Sequence, residues 1–372
     1  MTLIIQEVKT KKDIHDFVNL PYRLYKNNNC WVPPLKKDEA KAIQKDKNPM
    51  FRFADAKFWI VLKNGDCVGR IGALINHKYI EKTGKKYGRF TRMEFIDDTA
   101  VVDLLFETAE NWLKENGMIG IQGPLGFTNL DSQGLLVEGF DELQAVGSIY
   151  HLPYYKDHVE RIGYQKDIDW LEFQLFIEEI PEKASRLADI IIKRSQLKVL
   201  HFDKNKELMP YVEKVFAVLN MAFDELYSMV KFDKDMVEFY RNKYFKLLNP
   251  RFVKIIEDKD KEVVGFIIAL PSLSRALQEI NGKIHLLNVN KIFRALKKPD
   301  LVELLLTGVN PKHHGKGYSA LLINELQKEM LKNGVKAVET TGIFEDNDKA
   351  ISHWKNYKHK QHKRKRSYIK TF

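Results

Sequence analysis

Cysteine is scarce in this chain of 372 residues, which contains only Cys30 and Cys67. The two are far apart and form no Cys-x-x-Cys spacing, which argues against a disulfide framework and against a zinc site. Long apolar runs are also missing, since no stretch approaches the roughly 20 apolar residues that span a bilayer. The first residues are typical of a short strand followed by charges, without the apolar core of a signal peptide. These absences predict a cytoplasmic protein without a metal, which contacts the inner membrane surface at most peripherally.

The chain has a net charge of +11, and its C-terminal end contains no acidic residue. The segment 355–372 contains eight bases, namely Lys355, Lys358, Lys360, Lys363, Arg364, Lys365, Arg366 and Lys370. Three interpretations remain open: a nucleic-acid contact, an exposed basic strand near a polyanionic cofactor or an anionic membrane, and a plain solvated face. No nucleic-acid-binding signature accompanies the run, which ends in a strand-like Ser367-Tyr368-Ile369, so a nucleic-acid partner is disfavoured.

The most informative segment, 309–322, joins an apolar strand to an amphipathic helix through Gly315-Lys316-Gly317, the glycine turn. Glycines let the backbone approach a ligand closely, and the first N–H groups of the helix favour an anion. A P-loop does not fit, because Gly317 follows Lys316 where Ser or Thr is needed. A dinucleotide fingerprint does not fit either, because Ser319 and Ala320 stand where its third glycine is expected. The segment therefore predicts a site for another nucleotide-like cofactor.

This segment resembles motif A of the GNAT superfamily, the CoA-dependent N-acyltransferases. The matching residues are Val309, Pro311, Gly315, Lys316, Gly317, Leu321 and Leu322. His314 takes the Gln/Arg position of the motif, and Ser319 takes its final Gly/Ala position. Further along, Asn347, Ala350 and Trp354 match the family's Asn-x-x-Ala-x-x-x-Tyr segment, with Trp in place of Tyr. The resemblance implies acetyl-CoA or a longer acyl-CoA as co-substrate, bound by Val309, His314, Gly315, Lys316, Gly317, Tyr318, Ser319 and Asn347.

A hairpin pattern occurs twice, about 195 residues apart. The first consists of Phe58–Leu62 and Cys67–Ile75 around Asn64-Gly65-Asp66, and the second of Phe252–Ile256 and Val263–Leu270. Each half is typical of helix, hairpin, strand, helix, strand, helix, strand, which is the GNAT order of a mixed sheet with flanking helices. We therefore predict an α/β fold with α+β mixed sheets in two tandem GNAT-like domains, 1–180 and 181–372, divided near Pro181.

The two halves differ where the cofactor is expected. The first half has Asp97, Asp98 and Asp103 in place of the glycine turn. Carboxylates at a helix start cap it and repel a pyrophosphate, so we predict no CoA site in domain 1–180. The glycine-punctuated loop 123–141 has two open interpretations, a contribution to substrate binding and a structural connection.

The resemblance implies a general base on the central strands, since in GNAT enzymes the acceptor amine must be neutral when it attacks the acyl-CoA thioester. Glu303 is the first candidate, because burial within an apolar strand raises the pKa of a carboxyl group toward the useful range. Glu339 on the next strand is the second, and a surface position for Glu303 stays open. Trp354 cannot protonate the departing thiolate. Tyr357 or His353 is predicted to do so, although both are also compatible with packing.

The segment 271–300 is a helical insertion with an apolar side and six bases against Glu279 and Asp300. It is compatible with an interfacial helix, with a lid over a hydrophobic acceptor site, and with two ordinary packed helices. The whole chain also is similar to a group of tandem GNAT-like proteins that includes the bacterial ceramide synthases. That similarity lies in Phe17–Tyr25, Trp31–Leu35, Asp46–Pro49, Gly123-Pro124 and Gly139–Asp141.

The predicted function is transfer of an acyl group from acyl-CoA to a primary amine. The amine is either a small molecule or a lipid amine such as a sphingoid base. A binding protein that holds CoA without catalysis remains the alternative. The sequence yields no prediction of oligomeric state.

Overall fold

The computed structural model describes residues 2–180 and 182–372. Contacts divide the chain into two compact units. Unit 1 consists of Met1–Leu171, Leu277–Leu286 and His362–Phe372, and unit 2 consists of Glu172–Ala276 and Leu287–Gln361. This division differs from the predicted domains 1–180 and 181–372, because the end of the chain pairs with strands of unit 1. The predicted boundary residue, Pro181, lies outside the described residues.

Unit 1 begins with a strand and alternates strands and helices thereafter. Its elements are β1 (Leu3–Glu7), α1 (Lys11–Leu24), α2 (Lys36–Ala42), a 3-10 turn (Pro49–Arg52), β2 (Ala54–Lys63), β3 (Asp66–Asn76), α3 (His77–Thr83), β4 (Tyr87–Phe95), α4 (Thr99–Glu115), β5 (Gly120–Gly123), β6 (Leu135–Glu138), α5 (Tyr154–Arg161) and the first part of β7 (Gln165–Phe176).

Unit 2 contains most of the remaining elements. These are α6 (Glu182–Ser195), β8 (Lys198–Leu200), α7 (Val212–Ala222), α8 (Lys234–Tyr244), β9 (Val253–Glu257), β10 (Val263–Pro271), α9 (Ser274–Ile280), α10 (Val289–Lys297), β11 (Leu301–Val309), α11 (Tyr318–Lys332), β12 (Ala337–Thr340), β13 (Ile343–Phe344), α12 (Asp348–Ser352) and β14 (His359–Thr371). Short 3-10 turns occupy Asn205–Tyr211, Phe245–Leu247, Pro250–Phe252, Pro311–His313 and His353–Asn356. Helix α9 and strand β14 each continue into unit 1.

The two units have the same sheet topology. The sheet of unit 1 runs β1-β2-β3-β4-β5-β14, with β4 and β5 parallel and the other neighbours antiparallel. The sheet of unit 2 runs β8-β9-β10-β11-β12-β7, with β11 and β12 parallel and the other neighbours antiparallel. The predicted class, an α/β fold with a mixed sheet and flanking helices, is confirmed.

The final strand of each sheet comes from the other half of the sequence. Strand β7 lies at the end of the N-terminal half yet pairs with β12 of unit 2, where Leu175 stands opposite Val338. Strand β14 ends the chain yet pairs with β5 of unit 1, where Tyr368 stands opposite Gly123. A cut at one residue therefore cannot separate the two sheets.

Local sequence explains the first hairpin and both parallel pairs. Asn64 and Gly65 have φ of 55° and 86°, the left-handed backbone that a two-residue hairpin turn requires. Helices α4 and α11 each end just before a glycine with a left-handed backbone. These glycines are Gly117, with φ of 76°, and Gly334, with φ of 74°. Each of these helices returns the chain to a strand parallel to the preceding one, as a crossover must.

The middle of the basic C-terminal segment is not the solvated face that the sequence left open, although Lys358 and Lys360 are exposed. Lys363 and Lys365 are buried. Arg364 and Arg366 both donate hydrogen bonds to the buried Asp169, at 2.8–3.0 Å, and Arg366 does so with two nitrogens. These bases are held inside unit 1 by a partner on β7.

In the described part of the chain, none of the helices combines the length and apolar character needed to cross a bilayer.

Candidate active site

The glycine turn has the backbone that an anion site needs. Asn310 accepts a hydrogen bond from the backbone N–H of Lys312 and starts the short turn after β11. Gly315 and Gly317 have φ of 77° and 79°, so both positions favour glycine. Helix α11 then starts at Tyr318 with no side-chain cap.

The start of α11 is therefore open to a ligand. Its first intrahelical bond is donated by the N–H of Leu321 to the carbonyl of Gly317, which leaves the earlier N–H groups without an acceptor in the helix. Lys312 and Lys316 are exposed beside it. Free N–H groups, the positive end of the helix dipole and two cations together fit a pyrophosphate.

The corresponding helix of unit 1 is closed by carboxylates, as predicted. Asp98 caps α4 by accepting from the N–H of Ala100 at 3.0 Å, and it also binds Lys63. Asp97 contacts His158, and Asp103 contacts Arg161. An anion would have to displace these groups and face their negative charge.

Strands β11 and β12 separate next to the glycine turn. Their pairing covers Leu301–Leu304 and ends where Thr341 donates to the carbonyl of Leu304. Strand β11 continues to Val309, paired with β10 on its other edge, and its register shifts at Leu305. Bulges of this kind turn backbone groups away from the regular ladder. The second half of β11 thus lies beyond its pairing with β12, and the Leu305 carbonyl at its start accepts from the Thr341 hydroxyl at 3.2 Å.

Tyrosines of α5 occupy the equivalent gap in unit 1. Strands β4 and β5 pair from Tyr87 to Arg89. Beyond that point, the N–H of Phe95 donates to the hydroxyl oxygen of Tyr155 at 3.1 Å, and the Tyr154 hydroxyl donates to the carbonyl of Phe95 at 2.6 Å. Side chains of unit 1 itself thus satisfy the backbone groups at the end of β4.

Glu303 is fully buried, with 0% of its surface exposed, so the surface interpretation is wrong. Its carboxylate accepts a hydrogen bond from the Ser272 hydroxyl at 2.9 Å and contacts the Ser274 hydroxyl at 3.4 Å. On the neighbouring strand, Glu339 stands directly opposite and is also buried. The first and second candidates for the base therefore lie side by side in one sheet.

A third buried carboxylate, Glu172, was not identified from the sequence. It lies on β7 two residues before Gln174, which pairs with Glu339, so it shares the face of Glu339. Carboxylate oxygens of Glu172 and Glu339 lie within 4.8 Å of each other. The alternation of Glu172 and Gln174 with apolar residues was a signal for a polar site on one face of this strand. Buried carboxylates this close favour a proton or a cationic group among them.

The two predicted acids lie beside Trp354. The centroids of the His353 and Tyr357 rings are each 6.3 Å from that of the indole. The Tyr357 hydroxyl donates to Gln327 of α11 at 3.0 Å, and burial raises the pKa of Tyr357. Burial also lowers the pKa of His353, which is therefore neutral at neutral pH. Tyr357 has a proton to donate and a fixed orientation, whereas neutral His353 is a weaker acid.

The remaining predicted cofactor residues fall into two groups. At the glycine turn, His314 contacts the carbonyl of Val309 at 3.2 Å, and Tyr318 stacks on His313. Ser319 follows in the first turn of α11. Asn347, in contrast, caps α12 by accepting from the N–H of Ala350 at 3.1 Å. Its predicted contact with CoA competes with this structural bond.

Solved structures share this architecture. A tandem GNAT protein from the clavulanic acid biosynthesis pathway matches 100% of this chain and 98% of its own, with 11% identity and a TM-score of 0.57. A GCN5-related N-acetyltransferase from Sphaerobacter thermophilus matches 99% and 95%, with 10% identity and a TM-score of 0.54. The fold of this protein is therefore that of tandem GNAT proteins.

Sequence comparison finds a family match in the second half. Residues 216–357 match the model of the Acetyltransferase (GNAT) family, and the resemblance seen at the glycine turn is confirmed. Over most of its length the chain is 27% identical to Protein YghO of Escherichia coli (strain K12), covering 92% of this chain and 89% of that protein. It is 26% identical to a bacterial ceramide synthase of Caulobacter vibrioides (strain NA1000 / CB15N), covering 94% and 92%.

Proposed function

We propose that this protein is an acyl-CoA-dependent N-acyltransferase that acylates a primary amine. The observation that carries the proposal is the start of α11, which has no side-chain cap and follows two glycines of positive φ. The other half of the chain closes the same place with Asp98. A capped helix end is the ordinary arrangement, and an uncapped one beside exposed lysines is suited to the pyrophosphate of CoA.

The gap between β11 and β12 supports the same donor. The arm of CoA that carries the thiol contains two amide groups, and these can pair with the backbone of Leu305–Val309 like an additional short strand. The register shift at Leu305 provides a backbone N–H that no longer follows the ladder with β10. We assign to it the thioester carbonyl, whose oxygen becomes negative during attack.

Glu303 is assigned as the base that takes a proton from the ammonium group of the acceptor. The neutral amine then attacks the thioester carbonyl carbon, the C–N bond forms, and the C–S bond breaks. Tyr357 is assigned as the acid that protonates the departing thiolate, and His353 is the alternative. The products are an amide and free CoA, with one proton released to solvent. Glu339 and Glu172 supply further negative charge that favours an amine in its cationic form.

A lipid amine is the second candidate for the acceptor. The similarity to a protein named bacterial ceramide synthase extends over almost the whole of both chains, and not only over the GNAT domain. This extent supports an acceptor of the same chemical kind, a long-chain amine.

A panel of acceptors tests the proposal. Purified protein is incubated with acetyl-CoA or a long-chain acyl-CoA and with polyamines, amino sugars, amino acids or sphingoid bases. Released thiol is measured, and amides are identified by mass spectrometry. Amide formation with one class identifies the acceptor. CoA binding without turnover on any amine would favour the non-catalytic alternative.

A further inference from the structure

Two adjacent leucines are almost completely exposed in the connection between α9 and α10. Leu286 is 96% exposed and Leu287 is 94% exposed, and the nearby Ile284 is half exposed. Single exposed apolar residues are common, but a group of large ones at the tip of a connection marks an interaction site. The base of this connection is fixed, since the N–H of Lys36 donates to the carbonyl of Gly282 at 3.1 Å.

The structure corrects the sequence-based view of the insertion. The apolar residues of its first part are buried, including Leu273, Leu277 and Ile280, so α9 is an ordinary packed helix and not an interfacial one. Helix α10 buries Ile292 but leaves the adjacent Phe293 57% exposed. Exposed apolar surface is therefore concentrated in Ile284, the two leucines and Phe293.

The charge around these residues has one sign. Between Glu279 and Asp300 the sequence contains no acid, and it contains the bases Lys283, Lys291, Arg294, Lys297 and Lys298. Arg294, Lys297 and Lys298 are exposed. A nucleic acid would use the bases but not the leucines. An anionic bilayer uses both, because its surface attracts cations and its acyl boundary accepts apolar side chains.

We propose that residues 283–298, the docking segment, bind an anionic membrane surface. Leu286 and Leu287 enter the boundary between headgroups and acyl chains, and the bases of α10 contact the headgroups. The docking segment is followed at once by β11, the strand that carries Glu303. This proposal goes beyond the proposed reaction, since it concerns the location of the protein at a membrane surface. It does not depend on which amine the protein acylates.

Vesicle sedimentation with the full-length protein tests this proposal. Vesicles of phosphatidylglycerol and phosphatidylcholine are compared with vesicles of phosphatidylcholine alone. We expect binding to the anionic vesicles only, weakened by salt through screening. Neutralising three bases in Arg294→Gln/Lys297→Gln/Lys298→Gln should weaken it about 100-fold, since each base near such a surface contributes roughly fivefold.

Two leucine variants separate apolar insertion from charge attraction. Leu286→Ser/Leu287→Ser should lose most of the binding, whereas Leu286→Phe/Leu287→Phe should retain it. Leu187→Ser/Ile190→Ser removes two other exposed apolar residues, on α6, and should bind like the unaltered protein. All of these positions are exposed, and thermal unfolding checks that the fold is intact.

Each outcome is decisive. Equal binding by the leucine-to-serine variant and the unaltered protein overturns insertion, and equal binding to both vesicle types overturns the charge contribution. Failure of the unaltered protein to bind either vesicle overturns the proposal as a whole. Turnover with a water-soluble amine, measured in the same preparations, reports on the proposed reaction separately, so failure of one is distinguishable from failure of the other.

Discussion

Glu303 and Glu339 stand directly opposite each other on the parallel strands β11 and β12, and both are buried. Two carboxylates in such proximity are stable only if a proton, a hydrogen-bond donor or a cation accompanies them. Ser272 supplies one donor to Glu303. A substrate amine would supply the cation, which makes this pair the centre of the proposed reaction.

Replacing Glu303 by glutamine tests the base. Glu303→Gln keeps the shape and one hydrogen-bond acceptor but cannot take the proton, so kcat should fall by roughly two to four orders of magnitude. The affinity for CoA should not change, because the substitution leaves the glycine turn intact. Steady-state kinetics and calorimetry measure the two quantities.

Glu257→Gln is the matched control, since Glu257 is a buried acid of the same sheet on β9. It should leave kcat unchanged. A near-normal kcat for Glu303→Gln would show that Glu303 is not the general base and would assign that role to Glu339 or to a water molecule.

Gly317→Val should weaken CoA binding about tenfold or more, since the left-handed backbone at φ 79° disfavours a side chain by about 1–2 kcal/mol and the new atoms crowd the helix start. An added Cβ would lie 2.7 Å from the Ile191 side chain. Isothermal titration calorimetry with CoA measures the change in Kd.

Gly334→Val provides the comparison at the other end of α11. Gly334 has φ of 74°, and nothing lies within 4 Å of its added Cβ. It should reduce stability by strain alone and leave the Kd for CoA unaltered. Equal Kd values for Gly317→Val and the unaltered protein would show that the glycine turn does not bind CoA.

One CoA should bind per chain. In unit 1, Asp98 caps α4, and Tyr154 and Tyr155 bond to the backbone of Phe95, so neither the phosphates nor the amide arm finds free partners. Calorimetric titration of the full-length protein should therefore give a stoichiometry near one. A stoichiometry near two would show that unit 1 also binds the cofactor.

Asp169 should make the protein sensitive to acid. Burial opposes its ionisation, but the hydrogen bonds from Arg366 and Arg364 hold its pKa below the usual 3.8. The pKa of the folded state is thus the lower one, so the contribution to stability is complete above pH 3.8 and is lost as the pH falls below it.

Asp169→Asn should lower the free energy of unfolding by about 3 kcal/mol at neutral pH, because it removes the buried anion of Arg364 and Arg366 and leaves them only the more exposed Glu138 and Glu160. Denaturant unfolding at neutral and acidic pH measures this difference. It should shrink as the pH approaches the folded-state pKa. A difference that is independent of pH would show that Asp169 acts through packing and not through its charge.

The sequence was sufficient to predict the structure where the determining interactions are local. The hairpin at Asn64-Gly65 and the glycine turn before Tyr318 depend on backbone preferences of a few neighbouring residues, and both were predicted correctly. The capping of α4 by Asp98 is local in the same way.

Long-range pairing was not predictable from one sequence. Nothing near Tyr368 indicates that its strand pairs with Gly123, and this pairing is why the domain boundary differs. Glu172 was missed for the same reason. It is far from Glu339 in the sequence, and the two lie close together only because β7 pairs with β12. The burial of Lys365 also follows from strand pairing and is opposite to what its charge suggests.

The central claim is amine acylation, and the stoichiometry of one reaction mixture tests it most directly. Purified protein receives acyl-CoA and an isotope-labelled amine, and free thiol and labelled amide are quantified over time. We expect the two products to rise together in a one-to-one ratio and only when the amine is present. Thiol release that is independent of the amine, or none at all across the acceptor panel, would contradict it.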